Sequence, residues 1–226
     1  MRAGNRATWN GRGLRHAGAL ALCITLLQAG PPSAAMDTVV ELPILAAIQS
    51  NNQGVFEVLL LRWDHSPTPS PIVLQWQGGN IQLGQANFSS MVQAFRYALE
   101  QSEAVELTGT VTATGITYIP INSDGPSAGA VMTIGFAALL KGDQLLRGIA
   151  LTGTVTGDGD IGPVGGIPDK VRAAAREGYR TILIPSGQRY GPHWNLDRLA
   201  MDLNVEIEEV GTIAEAYHLM TGESLR

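Results

Sequence analysis

The 226-residue chain has one cysteine, Cys23, and two lysines, Lys141 and Lys170. A lone cysteine excludes an internal disulfide and a thiolate-rich metal site, so packing must hold the fold. No H-E-x-x-H, CxxC or G-x-G-x-x-G unit sits in a suitable context, and no G-x-x-x-x-G-K-[ST] loop occurs. Asp158-Gly159-Asp160 lacks the spaced acids and closing Glu of a calcium loop and reads as a hairpin turn. No cofactor, metal or nucleotide is therefore expected.

Acids are missing from the first 35 residues, which carry Arg2, Arg6, Arg12 and Arg15 before the apolar run AGALALCITLL at 17–27. Small residues follow at 31–35. This order predicts a signal peptide over 1–35 and a secreted or periplasmic protein, since the run is short for a membrane span. An uncleaved N-terminal membrane anchor is the alternative. Without that segment the 15 basic and 20 acidic residues become 11 (15 − 4) against 20, a net charge of −9. Such a surface argues against nucleic acid as a partner. Residues 36–226 suffice for one domain.

Beyond the leader, β-branched and apolar runs at 38–48, 54–63 and 72–77 predict strands. Ser89 or Ser90 is placed to cap a helix reaching about Glu103, and 105–112 with 115–121 suggest a hairpin. Residues 126–140 are apolar around the whole circumference and predict a buried helix. A strand at 148–156 and a tight turn at 157–160 precede a helix that begins at Pro168 and stops near Gly178. A short strand at 181–185, a helix at 195–202, a strand at 204–208 and a last helix at 212–220 complete an α+β domain with mixed sheets. Trp63, Trp76 and Trp194 are expected at the core or its rim, with Trp194 a candidate for lining a cleft.

The chemistry concentrates in Asp124-Gly125-Pro126-Ser127-Ala128-Gly129 and in Gly165-Gly166-Ile167-Pro168-Asp169-Lys170. Small residues around Ser127 let another backbone approach, and a helix start places N–H groups near an attacked carbonyl. Serine is a weak nucleophile without a base. A lysine serves as that base once burial lowers its pKa, and Lys170 flanks the apolar stripe Ile167, Val171, Ala174 and Ala175. Locally, Ser127 also reads as a helix cap and Lys170 as a solvated charge. The same segment satisfies G-x-S-x-G, which opens a third reading, a Ser-His-Asp hydrolase using His193 or His218.

Residues 124–185 resemble the proteolytic domain of the Lon protease family in an ordered series: the D-G-P-S-A-G box, Thr152-Gly153, Pro163-Val164-Gly165-Gly166-Ile167, Lys170, Ala173-Ala174-Ala175, Gly178 and the strand Thr181 to Pro185. The resemblance implies a serine endopeptidase with Ser127 as nucleophile and Lys170 as general base. It places Thr152 as the group orienting that lysine and Asp124 at the family's acidic position before the box. Thr152 also reads as an ordinary strand threonine, and Asp124 as a turn former. Ser123 stands where many Lon members have lysine, and the family's ATPase module has no counterpart here. The expectation is therefore ATP-independent cleavage of flexible or unfolded polypeptides, with a homo-oligomer implied by the ring-forming family. The alternative is a catalytically silent Lon-like module that binds peptides or a partner.

Overall fold

In the computed structural model the described residues are 38–48, 53–102, 107–118 and 120–226. The expected leader, the turn at 50–52, the expected helix end at Glu103 and residues 105–106 and 119 of the expected hairpin lie outside them. The chain opens with β1 (Thr38–Ile48), β2 (Gln53–Asp64), β3 (Val73–Gly79) and β4 (Ile81–Leu83), then α1 (Gln85–Gln101). β5 (Thr110–Ile116) and β6 (Ile121–Ser123) lead to α2 (Gly129–Lys141), and β7 (Ile149–Leu151), β8 (Thr154–Val155) and β9 (Ile161–Gly162) lead to α3 (Ile167–Arg176). The tail runs through β10 (Thr181–Pro185), β11 (Tyr190–Gly191), β12 (Trp194–Asn195), α4 (Leu196–Leu203), β13 (Glu206–Val210) and α5 (Ile213–Thr221). Mixed sheets with five helices among the described residues make the α+β architecture that the sequence predicts.

One sheet has the order β1-β2-β5-β3, with β3 parallel to β5 and the other pairs antiparallel. A second is parallel, with β10 between β7 and β13. Two cores result. The larger surrounds α2, whose residues from Gly129 to Leu140 are all buried; this is why no polar face interrupts that helix. The smaller gathers Ile167, Val171 and Ala174 of α3 against Leu45, Ile182, Ile184 and Ile207.

Three expectations are corrected. The hairpin is one strand: Thr112, Ala113 and Thr114 pair with β2 on one side and β3 on the other, so the apparent turn is the inside of a sheet. Gly115 is there for space, because a Cβ would lie 2.8 Å from the Trp76 ring. α1 starts at Gln85 rather than at Ser89 or Ser90, since its cap comes from a distant side chain described below. The strand expected at 148–156 is broken at Thr152-Gly153, where the chain turns its polar groups toward Ser127.

Candidate active site

Ser127 sits in the turn that enters α2, held from both sides. Gly125 has φ +109°, a conformation that favours glycine. The Ser127 carbonyl accepts from the Gly153 N–H (2.9 Å) and the Thr152 hydroxyl (3.2 Å), while the Ala130 N–H donates to Gly153 O (3.0 Å). The break between β7 and β8 thus clamps the serine turn.

Lys170 comes from the first turn of α3. Gly166, with φ +66°, lets the chain enter that helix beside Ala47. The helix lies tightly on β2, where a Cβ on Gly54 would stand 1.9 Å from the Asp169 carbonyl oxygen. Arg176 fastens the contact by donating to Gly54 O at 2.8 Å. Lys170 is 2% exposed, and its Nζ reaches Ser127 Oγ at 2.7 Å and Thr152 Oγ1 at 3.0 Å. It belongs to none of the ion pairs among the described residues. Burial pushes its ammonium down to about 8, opposed by the charge of Glu57.

Thr152 has one hydroxyl proton, and that proton goes to the Ser127 carbonyl. Toward Lys170 it can therefore only accept. A neutral amine held this way gives one N–H to Thr152 and keeps its lone pair for the Ser127 hydroxyl.

Asp124 does not touch Lys170 or Ser127 through any hydrogen bond. Its Oδ1 accepts from the N–H groups of Gly125 (2.8 Å), Ala86 (3.0 Å) and Asn87 (3.2 Å). It caps α1 from outside and ties that helix to the serine turn. Those bonds, the one from Gly125 first, hold its carboxyl below the usual range.

Around the pair lies an open groove of about 680 Å³. Residues 44–48 of β1 and residues 121–128 are among those that line it. His65, His193 and His218 are exposed and line no part of it, so the G-x-S-x-G reading finds no histidine at Ser127. Trp63 is buried in the larger core, and Trp76 and Trp194 pack at core rims; none of the three lines the groove.

Residues 117–214 match the family model of the Lon protease (S16) C-terminal proteolytic domain. That stretch is related to the Lon proteolytic domain. The chain is 33% identical over 143 residues to Lon protease 2 of Syntrophobacter fumaroxidans, covering 61% of this chain and 18% of the relative. It is 37% identical over 95 residues to Lon protease of Escherichia coli, covering 40% and 12%. Over 65 residues it is 45% identical to Lon protease of Desulfosudis oleivorans, covering 29% and 8%. The chain thus spans less than a fifth of the length of these relatives. The family match includes Ser127, Thr152 and Lys170, whereas β1 to β4 and α1 lie outside it.

One group in the groove escapes the motif reading. Glu57 of β2 is 2% exposed, and its Oε1 is buried without a hydrogen-bond partner. The Ser123 hydroxyl favours its ionised form, and Ser123 Oγ accepts from Asn87 Nδ2 at 3.2 Å. Burial pushes Glu57 up to about 7, against that hydroxyl and the charge of Lys170. The alternation Glu57, Leu59, Leu61, Trp63 along β2 was the available signal, since it puts the acid on the inward face.

Proposed function

We propose that this chain is a serine endopeptidase that works through Ser127 and Lys170. The 2.7 Å contact between Lys170 Nζ and Ser127 Oγ carries the reading, because the lysine making it is buried and unpaired with any carboxylate. With its pKa near 8, part of the Lys170 population is neutral in mildly alkaline solution and competent as a base. Neutral Lys170 takes the Ser127 proton as Oγ bonds to the peptide carbonyl carbon. The N–H groups of Ser127 and Ala128, which no hydrogen bond among the described residues uses, are the candidates to bind the developing oxyanion. The Lys170 ammonium then protonates the departing amine as the C–N bond breaks, leaving an ester on Ser127. Water, deprotonated by Lys170, hydrolyses that ester and regenerates the serine.

The groove suits an extended polypeptide. Among the described residues β1 is the edge of its sheet and β6 pairs on one side only, and both line the groove, so main-chain pairing is open to a bound peptide. The relatives of 117–214 are named Lon proteases, which supports the same chemistry here. With no G-x-x-x-x-G-K-[ST] run in these 226 residues, cleavage is assigned to flexible or unfolded chains without nucleotide hydrolysis. Export through residues 1–35 and assembly into a homo-oligomer belong to the same reading. A peptide-binding module would have no need to bury Lys170, which disfavours that alternative.

The test is casein cleavage without ATP by residues 36–226, together with labelling of Ser127 by a fluorophosphonate. Ser127→Ala and Lys170→Ala abolish cleavage, whereas the double variant His193→Ala/His218→Ala retains it. Cleavage that needs ATP, or survives in Lys170→Ala, overturns the reading.

A further inference from the structure

The inward row of β2 is apolar except at the groove, where Glu57 replaces what Leu59, Leu61 and Trp63 continue. A buried carboxyl with one orphaned oxygen is a costly way to fill that position, and nothing in the sheet pairing requires it. What the acid faces is the reaction site: Glu57, Ser127 and Lys170 line one groove, with Lys170 carried onto β2 by the Gly54 contact.

We propose that Glu57 is a positioning residue for the Ser127–Lys170 pair: its buried carboxylate holds the proton on Lys170 and so sets the acid limit of peptide cleavage. The inference rests on Lys170 being the base. Among the described residues the other charged groups that line the groove are Asp124 and Asp169. Asp124 is exposed and spends Oδ1 on three backbone N–H groups; Asp169 is engaged with Arg172 at 3.0 Å. β1, β6 and α1 contribute no titratable side chain to the lining. Arg172 and Arg176 of α3 are occupied by Asp169 and Gly54 O. Among the described residues Glu57 is thus the one acid that is buried in the groove beside Lys170, where attraction between opposite charges is least screened.

The coupling has a direction. An ionised Glu57 favours the charged amine, and burial that pushes Lys170 down is partly cancelled by it. As pH falls, protonation of Glu57 and retention of the proton on Lys170 become one joint titration rather than two independent ones. Ser123 favours the ionised carboxyl and accepts from Asn87, so the groups around Glu57 include β6 and α1.

The experiment exploits the presence of only two lysines. The whole chain, labelled with [ε-13C]lysine, gives one signal each for Lys141 and Lys170, assigned with Lys141→Arg. Lys170 in the unaltered protein shows two inflections, one of them due to Glu57. In Glu57→Gln it shows one, displaced to lower pH by about one unit. The acid limb of kcat/KM on casein moves by the same amount, and Glu57→Asp, which keeps the charge, restores the two-step curve. An unmoved Lys170 midpoint in Glu57→Gln overturns the proposal. If that variant does not fold, the unaltered protein decides alone: a single Lys170 inflection overturns the proposal, and two support it. A coupled Lys170 in a protein that never cleaves casein overturns the peptidase reading, while the Glu57–Lys170 coupling stands.

Discussion

Lys141 and Lys170 share a side chain and differ in everything around it. Lys141 closes α2 at its C-terminal end, where unsatisfied carbonyls welcome a cation. Its Nζ donates to Ser224 O (2.6 Å) and Leu225 O (3.1 Å) and lies 3.6 Å from Asp143. Lys170 occupies the opposite kind of place, the first turn of α3, where the helix is electropositive. Its partners are two hydroxyls instead of carboxylates. Lys141 sits among carbonyls and a carboxylate, whereas burial among hydroxyls weakens the hold of Lys170 on its proton. The chemistry comes from the helix end and the burial rather than from the residue type.

The sharpest way to break this comparison is to remove each amine in turn. Lys170→Met lowers casein cleavage by at least about 10³-fold, the scale of a lost proton-transfer group. Lys141→Met leaves the rate within about twofold and costs on the order of 1 kcal/mol or less, as for a partly exposed ion pair. Circular dichroism melts separate the two effects. Equal loss of activity in both variants would show that the difference in surroundings carries no function.

Next comes Thr152, whose hydroxyl accepts from Lys170 Nζ at 3.0 Å. Thr152→Val keeps the shape and removes the acceptor, so the lone pair of Lys170 is no longer directed at Ser127. A fall in kcat of about tenfold to a hundredfold is expected, equivalent to ~1–3 kcal/mol of a buried hydrogen bond, with KM nearly unchanged. Steady-state kinetics check this split; a rise in KM alone would make Thr152 a substrate contact.

How much of this could be read in the sequence differs between the two helices and the sheet. The all-apolar α2 and the small-residue turns before Ser127 and Lys170 are local features, and local features survive reading. Ser127, Thr152 and Lys170 meet although 25 and 18 residues separate them in turn, which only the family resemblance suggested. One acid in an apolar run looks solvent-facing, yet the period-2 relation of Glu57 to Leu59 and Leu61 puts it inside. The start of α1 was hidden for a different reason, since its cap stands 37 and 38 residues away. β5 resembled a turn because Thr-Ala-Thr-Gly is common in one, and only its two neighbours make it a central strand.

The contrast also shows in stability against pH. Lys170 binds its proton more weakly in the fold, at about 8 against 10.5, so the unfolded chain holds more protons between those values and stability rises with pH there. Glu57 has the reverse sign: the fold holds the proton more tightly, at about 7 against 4.5, and stability falls as pH rises through that window. Urea midpoints across pH 4–11 should lose the alkaline rise in Lys170→Met and the acidic fall in Glu57→Gln, each worth about 1–3 kcal/mol. An unchanged alkaline rise in Lys170→Met would mean that Lys170 is solvated.

The smallest effect is expected at Asp124, which acts on neither lysine but joins the serine turn to α1. Asp124→Ala leaves the Ala86 and Asn87 N–H groups of the first helical turn without their acceptor and frees Gly125. Ala86 is exposed whereas Asn87 is buried, so water takes over only part of the bonding, and the melting temperature falls by a few degrees. Activity falls less than in Thr152→Val, because Ser127 keeps its bonds to Gly153 and Thr152. Asp124→Asn separates cap from charge: the amide oxygen still accepts at the helix start, so most of the melting temperature returns if capping is the role. Failure of Asn to restore it, with a shifted pH profile, would move Asp124 into the electrostatics of Lys170 and erase the distinction between the scaffold of the site and its chemistry.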